Sequence, residues 1–292
     1  MPIALVAREH MKTAEHCYPC LRRLIQLAVS LSAGNRSLVG RSYELLDRLY
    51  GPEKSPTEIS NRLLAYIRTE TGVTDPFSDR KQAEMSKARQ AANDYSNLFP
   101  STLEGLLKFA SLGNSLDFFA DSGYNVTDFR FTGDMEAIVA QIAEGNATVL
   151  LFADNVGEFF FDLPLIRFLE RQGKHVYYAV KERPVQNDLS MADVEKQGLR
   201  AFFDNIVSTG TDEVGIRREQ MHGSIKELWD SHALVMAKGM ANYESISEFH
   251  DERPVLYILK AKCRTVAEAL GCTVGEHTSF IGGAHGNEKR LL

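Results

Sequence analysis

Apolar positions at helical spacing dominate the first part of the chain. Residues 20–32 (CLRRLIQLAVSLS) and 38–50 are strongly periodic at this repeat, and the second run stops at Gly51-Pro52. A third helix is predicted over 56–71, with Ser55 as its N-cap and Glu58 three residues on in a capping-box arrangement. Asp75-Pro76 breaks the pattern. A polar-faced helix over 79–96 and an apolar one over 100–112 follow, then Gly113-Asn114 and a short segment at 116–120. No strand of quality is expected before Thr148.

The pattern changes after Asp128. Strand-like runs recur at 147–153, 175–180, 201–207, 232–237 and 254–260, and helical stretches at 135–144, 162–172, 191–197 and 216–230 separate most of them. Strands alternating with helices imply a mainly parallel sheet covered on both faces. The stretch from Gly271 to Leu292 is poorly periodic and is assigned no element. The expectation is an α/β protein: a helical N-terminal region (1–125) on a three-layer core (126–292), packed as one unit.

Composition narrows the classes. The chain has 292 residues and a net charge of −6, which gives no global electrostatic reason to expect nucleic acid. No window approaches the roughly 18 consecutive apolar residues of a membrane span. Residues 1–16 carry His10, Lys12, Glu15 and His16 without a long apolar core, so no secretory signal is expected. The four cysteines (Cys17, Cys20, Cys263 and Cys272) are too few for a disulfide scaffold. A cytoplasmic location is expected.

The candidate chemistry gathers at strand ends. Asp154-Asn155-x-Gly157-Glu158 follows the run 147–153, and Lys181-Glu-Arg183-Pro-Val-Gln-Asn187-Asp188 follows 175–180. Carboxyl ends of neighbouring parallel strands share one rim, where open α/β sheets hold ligands. Two aspartates and an asparagine there would make an all-oxygen site for a hard divalent cation such as Mg²⁺ or Mn²⁺. Asp154-Asn155 could equally be a helix cap and Asn187-Asp188 a turn. Two more strand ends add compatible groups. Gly239, after 232–237, permits an unusual backbone torsion and close ligand approach, and Lys260 ends 254–260. A cation, a lysine and exposed amides are what phosphoryl transfer requires. Several other chemistries lack their motifs: there is no G-x-x-x-x-G-K-[ST], G-x-G-x-x-G, G-x-S-x-G or H-E-x-x-H.

Taken in order, Asp154-Asn155-x-Gly157-Glu158, Arg183-Pro-x-x-Asn187-Asp188, Lys238-Gly-x-x-Asn242-Tyr243-Glu244 and Lys260-x-Lys262-Cys263 resemble the DUF89 family. Members of this family are metal-dependent damage-control phosphatases. Asp75-Pro76-Phe77, Gly113-Asn114-x-x-Asp117 and Cys17-x-x-Cys20 extend the likeness, the cysteines pointing to the archaeal and bacterial type; it spans about residues 16–270. The resemblance implies a Rossmann-like core and hydrolysis of small phosphorylated metabolites with Mg, Mn, Co or Ni. It implies metal ligands at Asp154, Asn155 and Asp188, with Asp154, Asp188 and Lys260 catalytic. Substrate contacts would come from Gly239, Met240, Ala241 and Asn242, joined by Asn114, Asp117, Glu158 and Asn187. One departure is visible: Lys181-Glu-Arg183 stands where a basic-Gly-Lys pattern is more usual. Whether water or an aspartate attacks phosphorus stays open.

Two other functions compete. A methyltransferase using S-adenosylmethionine would need a glycine-rich loop where Asp154-Asn155-Val156-Gly157 stands, and a binding module would hold a phosphorylated metabolite without turnover. Cys17, Cys20 and Cys263 could form a redox pair, a second metal site or simple packing. If the first helix packs over the rim, Cys263 should lie within contact range of at least one of the other two.

Overall fold

The protein is described from a computed structural model, which defines residues 11–115 and 129–283. The N-terminal helices are α1 (Cys17–Leu31), α2 (Arg36–Leu49), α3 (Pro56–Thr71), α4 (Ser78–Tyr95) and α5 (Leu103–Leu112), close to the predicted spans. The Ser55 hydroxyl accepts from the Glu58 amide at 3.2 Å, so the expected N-cap forms. The Glu58 carboxylate turns outward instead of closing the box, and pairs with Lys54 at 3.1 Å and Arg62 at 3.6 Å.

The remaining described elements are β1 (Phe131–Gly133), α6 (Met135–Glu144), β2 (Thr148–Phe152), α7 (Phe159–Arg171), β3 (His175–Val180), α8 (Met191–Gln197), β4 (Ile206–Ser208), α9 (Gly223–Asp230), β5 (Leu234–Lys238), α10 (Gly239–Ile246), β6 (Val255–Lys260), α11 (Arg264–Leu270) and β7 (His277–Gly282). The seven strands form one sheet in the order β1-β7-β6-β5-β2-β3-β4. β6, β5, β2, β3 and β4 run parallel, whereas β7 is antiparallel to β6 and carries β1 parallel to itself. The fold is therefore α/β with a mostly parallel sheet.

Burial on both faces explains the apolar runs that showed no alternation. Val149 and Leu151 of β2 pack with α4–α7 on one side, while Leu150 and Phe152 pack with α9–α11 on the other. A third apolar cluster joins α1, α2 and α3 and reaches the central loops through Phe77, Val185 and Val214. The segment 116–120 lies outside the described residues.

Several expectations need correction. Residues 277–282 form β7 inside the stretch assigned no element, and 131–133 form β1 before Thr148. Both strands hold polar or small residues, because β7 is read through its pairing and not through apolar content. The run 201–207 is mostly turn, and β4 covers only 206–208. α9 begins at Gly223, not at 216, and α10 and α11 arise where no helix was expected.

One buried ion network fixes α4 against the first turn of α8. The Lys81 ammonium, 1% exposed, lies 2.7 Å from Asp75 and 2.8 Å from Asp193. Asp193 also accepts from the Ser190 amide at 3.1 Å, two residues beyond Asp188. Lys81→Ala leaves two carboxylates without their shared cation, and is expected to destabilise the fold by about 3 kcal/mol in chemical denaturation.

Candidate active site

The rim is assembled by main-chain pairing before any side chain takes part. The Leu189 amide donates to the Asp154 carbonyl at 2.8 Å and the Val156 amide to the Asn187 carbonyl at 2.9 Å. An antiparallel bridge joins Asn155 to Asp188. The segment after β2 is thereby zipped to the segment returning from β3, which sets Asp154, Asn155 and Asp188 side by side. All three are buried, at 7, 3 and 4% exposure. The chain runs from β2 outward through β3 and β4, then returns to β5 on the other side of β2. Asp154 and Gly239 thus face each other across the switch point of the sheet, where α/β folds place ligands.

Beneath these groups lies a closed polar network. Glu158 is fully buried and takes the side-chain amides of Asn155, at 3.1 Å, and of Asn114 on the same oxygen, Oε1. Its other oxygen accepts from the Lys238 ammonium at 2.5 Å. Lys238 also donates to Asp162 at 2.6 Å and to the Ala110 carbonyl at 3.0 Å, and the Tyr178 hydroxyl donates to Asp162 at 2.8 Å. Burial pushes Asp162 up to about 6 against the pull of Lys238. Burial works against the Lys238 charge too, but Asp162 and Glu158 outweigh it and raise its pKa. Lys181, 2% exposed, donates to the Gly215 carbonyl at 2.7 Å and lies 3.7 Å from Asp188. Burial lowers its pKa, resisted by Asp188 and Asp154.

The charge balance bears on a cation. Asp154, Asp188, Glu158 and Asp162 gather four carboxyl groups in a buried volume, where Lys181 lies beside Asp188 and Lys238 pairs with Glu158 and Asp162. The donors are all oxygens, and the buried Asn114 Oδ1 has no hydrogen-bond partner among the described residues. These residues fit a divalent ion.

Across the switch point, β5 turns into α10 at Gly239, whose φ is +75°. A β-carbon there would stand 1.9 Å from Asp154 Oδ2, so only glycine lets the α10 N-terminus approach that carboxylate. The Asn242 amide locks the turn by donating to the Ala153 carbonyl at 2.9 Å and the Lys238 carbonyl at 2.8 Å. Met240 is half-buried, and its sulfur accepts from the Lys262 amide at 3.2 Å. Ala241 packs against the α1–α3 cluster.

Not every residue expected at the substrate faces open space. Glu158 is sealed beneath the rim, and the Asn187 amide donates to Glu84 of α4 at 3.4 Å. Lys260 stands at the end of β6 and donates to Ser115 Oγ at 3.2 Å, beside Asn114. His277 bridges Ser111 and Ser115, each at 3.1 Å. Asp117 lies outside the described residues. Sequence reasoning passed over Lys238, Asp162 and Lys181. Lys238 and Asp162 look like a strand end and a helix interior, and only their mutual burial marks them. Lys181 could have been found, since it opens a motif already singled out.

The start of α1 meets the start of α11. Cys17 Sγ lies 3.7 Å from Thr265 Oγ1, and all four cysteines are free. Burial first, then Glu244, Cys17 and Cys20, pushes the Cys263 thiol up to about 12. Cys17 at the start of α1 and Cys263 at the start of α11 thus stand at one junction. No group of three or more His, Cys, Asp or Glu among the described residues is arranged to hold a metal. The Cys263 sulfur is turned instead to the Val266 amide, 3.5 Å away, as the N-cap of α11.

Fold and site together define an α/β protein with an acid-and-amide pocket at the switch point of its sheet. The chain belongs to the damage-control phosphatase ARMT1-like family, whose domain matches residues 13–278, in keeping with the DUF89 resemblance. It is 27% identical over 276 residues to the damage-control phosphatase PH1575 of Pyrococcus horikoshii, covering 89% of this chain and 94% of that protein. A damage-control phosphatase of Archaeoglobus fulgidus is 24% identical over 292 residues, covering 93% and 99%. The crystal structure of the DUF89 family protein from P. horikoshii superposes with a TM-score of 0.80 at 26% identity, over 92% of this chain and 98% of that one.

Two measurements test this geometry. Gly239→Ala is expected to cost about 1–2 kcal/mol from the left-handed backbone alone. It should also displace the Asp154 carboxylate, visible as lost affinity for divalent ions in calorimetry. His277 is held neutral, pushed down to about 3 by burial first and then by Lys260. The unfolded chain takes up that proton below about pH 6.5, so the stability tied to neutral His277 is lost as pH falls from there towards about 3. In melting curves across this window, His277→Gln is expected to flatten the decline.

Proposed function

We propose that the chain is a divalent-metal-dependent phosphatase acting on small phosphorylated metabolites in the cytoplasm. The observation that carries this reading is the oxygen-only group Asp154, Asn155 and Asp188, buried side by side and facing the α10 N-terminus across Gly239. Asp154, Asn155 and Asp188 would hold Mg²⁺, Mn²⁺, Co²⁺ or Ni²⁺. When bound, the ion supplies charge neutralisation for the phosphate and acidity for a water. Main-chain amides at Gly239–Ala241 would bind the phosphate oxygens, aided by the positive end of the helix. Lys260 would add a mobile ammonium against the growing negative charge. Lys181 holds Asp188 in place from its far side.

The relatives named damage-control phosphatases support this reading. Water is the favoured nucleophile. Asp154 Oδ2 already faces the amides of Asn155 at 3.0 Å and Asn114 at 3.4 Å, and such contacts damp carboxylate nucleophilicity. Asp188 would accept the water proton on its carboxylate. A methyltransferase is disfavoured, because Gly157 does not open a cofactor loop. It packs on α4, where an added β-carbon would lie 3.2 Å from Glu84 and 3.4 Å from Ala88. A non-catalytic binding module differs in one readout, release of inorganic phosphate.

Chelator-treated protein is expected to release no phosphate from a panel of sugar and cofactor phosphates, and to recover on adding Mg²⁺, Mn²⁺, Co²⁺ or Ni²⁺. Undiminished release from metal-free protein would sink the proposal. Asp188→Asn should lower turnover by about a hundredfold or more. It should leave the melting temperature of metal-free protein close to that of wild type, because the substitution keeps the side-chain volume.

A further inference from the structure

We infer that Asn114 is a further cation ligand, presented through its Oδ1 and oriented by Glu158; this rests on the metal-dependent reading above. Asn114 is 0% exposed, two residues past the end of α5. Its Nδ2 faces two carboxylates at once, Asp154 Oδ2 at 3.4 Å and Glu158 Oε1. An amide oxygen in that position would meet two negative oxygens, so only the nitrogen is tolerated there. The orientation of the amide is thereby fixed, with Oδ1 on the opposite side. That oxygen is buried and has no hydrogen-bond partner among the described residues.

An unpaired buried carbonyl oxygen costs about 1–3 kcal/mol and persists where something else satisfies it. A hard divalent cation does so, and the ion's other candidate ligands stand on the same network. Asn155 repeats the arrangement, its Nδ2 donating to Asp154 at 3.0 Å and Glu158 at 3.1 Å. Glu158 Oε1 thus collects two amide nitrogens and turns both carbonyl oxygens away from itself. Lys238, 2.5 Å from the other Glu158 oxygen, keeps that carboxylate in place. Gly113 permits the approach: a β-carbon there would lie 2.9 Å from the Glu158 Cα. Glu158 and Lys238 are positioning residues, and Asn114 is the ligand they position.

The test uses Mn²⁺ alone, with no substrate. Calorimetry gives its Kd and water-proton relaxation counts the waters on the bound ion, for wild type and Asn114→Ala. Expected in Asn114→Ala are a Kd raised about tenfold to a hundredfold and one additional exchangeable water. An unchanged Kd and hydration number would overturn the inference. Failure of wild type to bind Mn²⁺ would overturn the underlying metal reading instead. Asn114→Asp keeps the side-chain volume and guards against misfolding of the alanine variant. It sets an oxygen against Glu158, so its metal-free melting temperature should fall, and Mn²⁺ should raise that temperature by more than in wild type. A Mn²⁺-induced shift no larger than that of wild type would also count against ligation.

Discussion

The Lys238 ammonium, buried between Glu158 and Asp162, is the constraint on which the rest of the site hangs. Two carboxylates at that depth would repel each other and lose their hydration, a cost neither could bear alone. The lysine neutralises one of the two charges and fixes both geometries. Glu158 can then act as an acceptor for two amides, and those amides border Asp154. Because Lys238 ends β5, Asp162 lies in α7 and Asn114 follows α5, one cation ties the sheet to the helices on one of its faces. The local order of the rim thus depends on a residue that never reaches its surface.

Main-chain pairing supplies the second half of the arrangement. The bridge between Asn155 and Asp188 makes the separation of the two loops a matter of backbone hydrogen bonds and not of flexible side chains. The close approach at Gly239 does the same for the opposite wall. A site defined this way is stiff, which suits hard-ion binding, where ligand spacing matters more than ligand strength.

Much of this was legible in the residues. Val149–Phe152 and Val255–Leu259 announce fully buried strands by unbroken apolar character, and the Asx pairs at 154–155 and 187–188 fall where strand ends put them. β7 was not legible, because His277, Thr278 and Ser279 are polar and buried, held by pairing with β6 and by bonds such as Ser279 Oγ to the Tyr257 carbonyl at 3.1 Å. Short β4 was misplaced for the converse reason. Ala201–Phe203 look strand-like locally, yet the chain turns there to close α8. The role of Glu158 also escaped the sequence, since an acid one turn after Asp154 reads as rim chemistry until Lys238 and the two amides are seen around it.

The position of β7 carries a consequence for how the molecule is made. Among the described strands β1 pairs only with β7, Phe131 lying opposite His277, and β7 in turn lies along β6. During synthesis β1 leaves the ribosome long before β7 exists, whereas β2 and β3 can zip together early. The sheet must therefore grow outward from β2, and its β1 edge can close only after the chain has passed residue 282. Such late, long-range closure is slow and leaves a strand edge bare while translation proceeds.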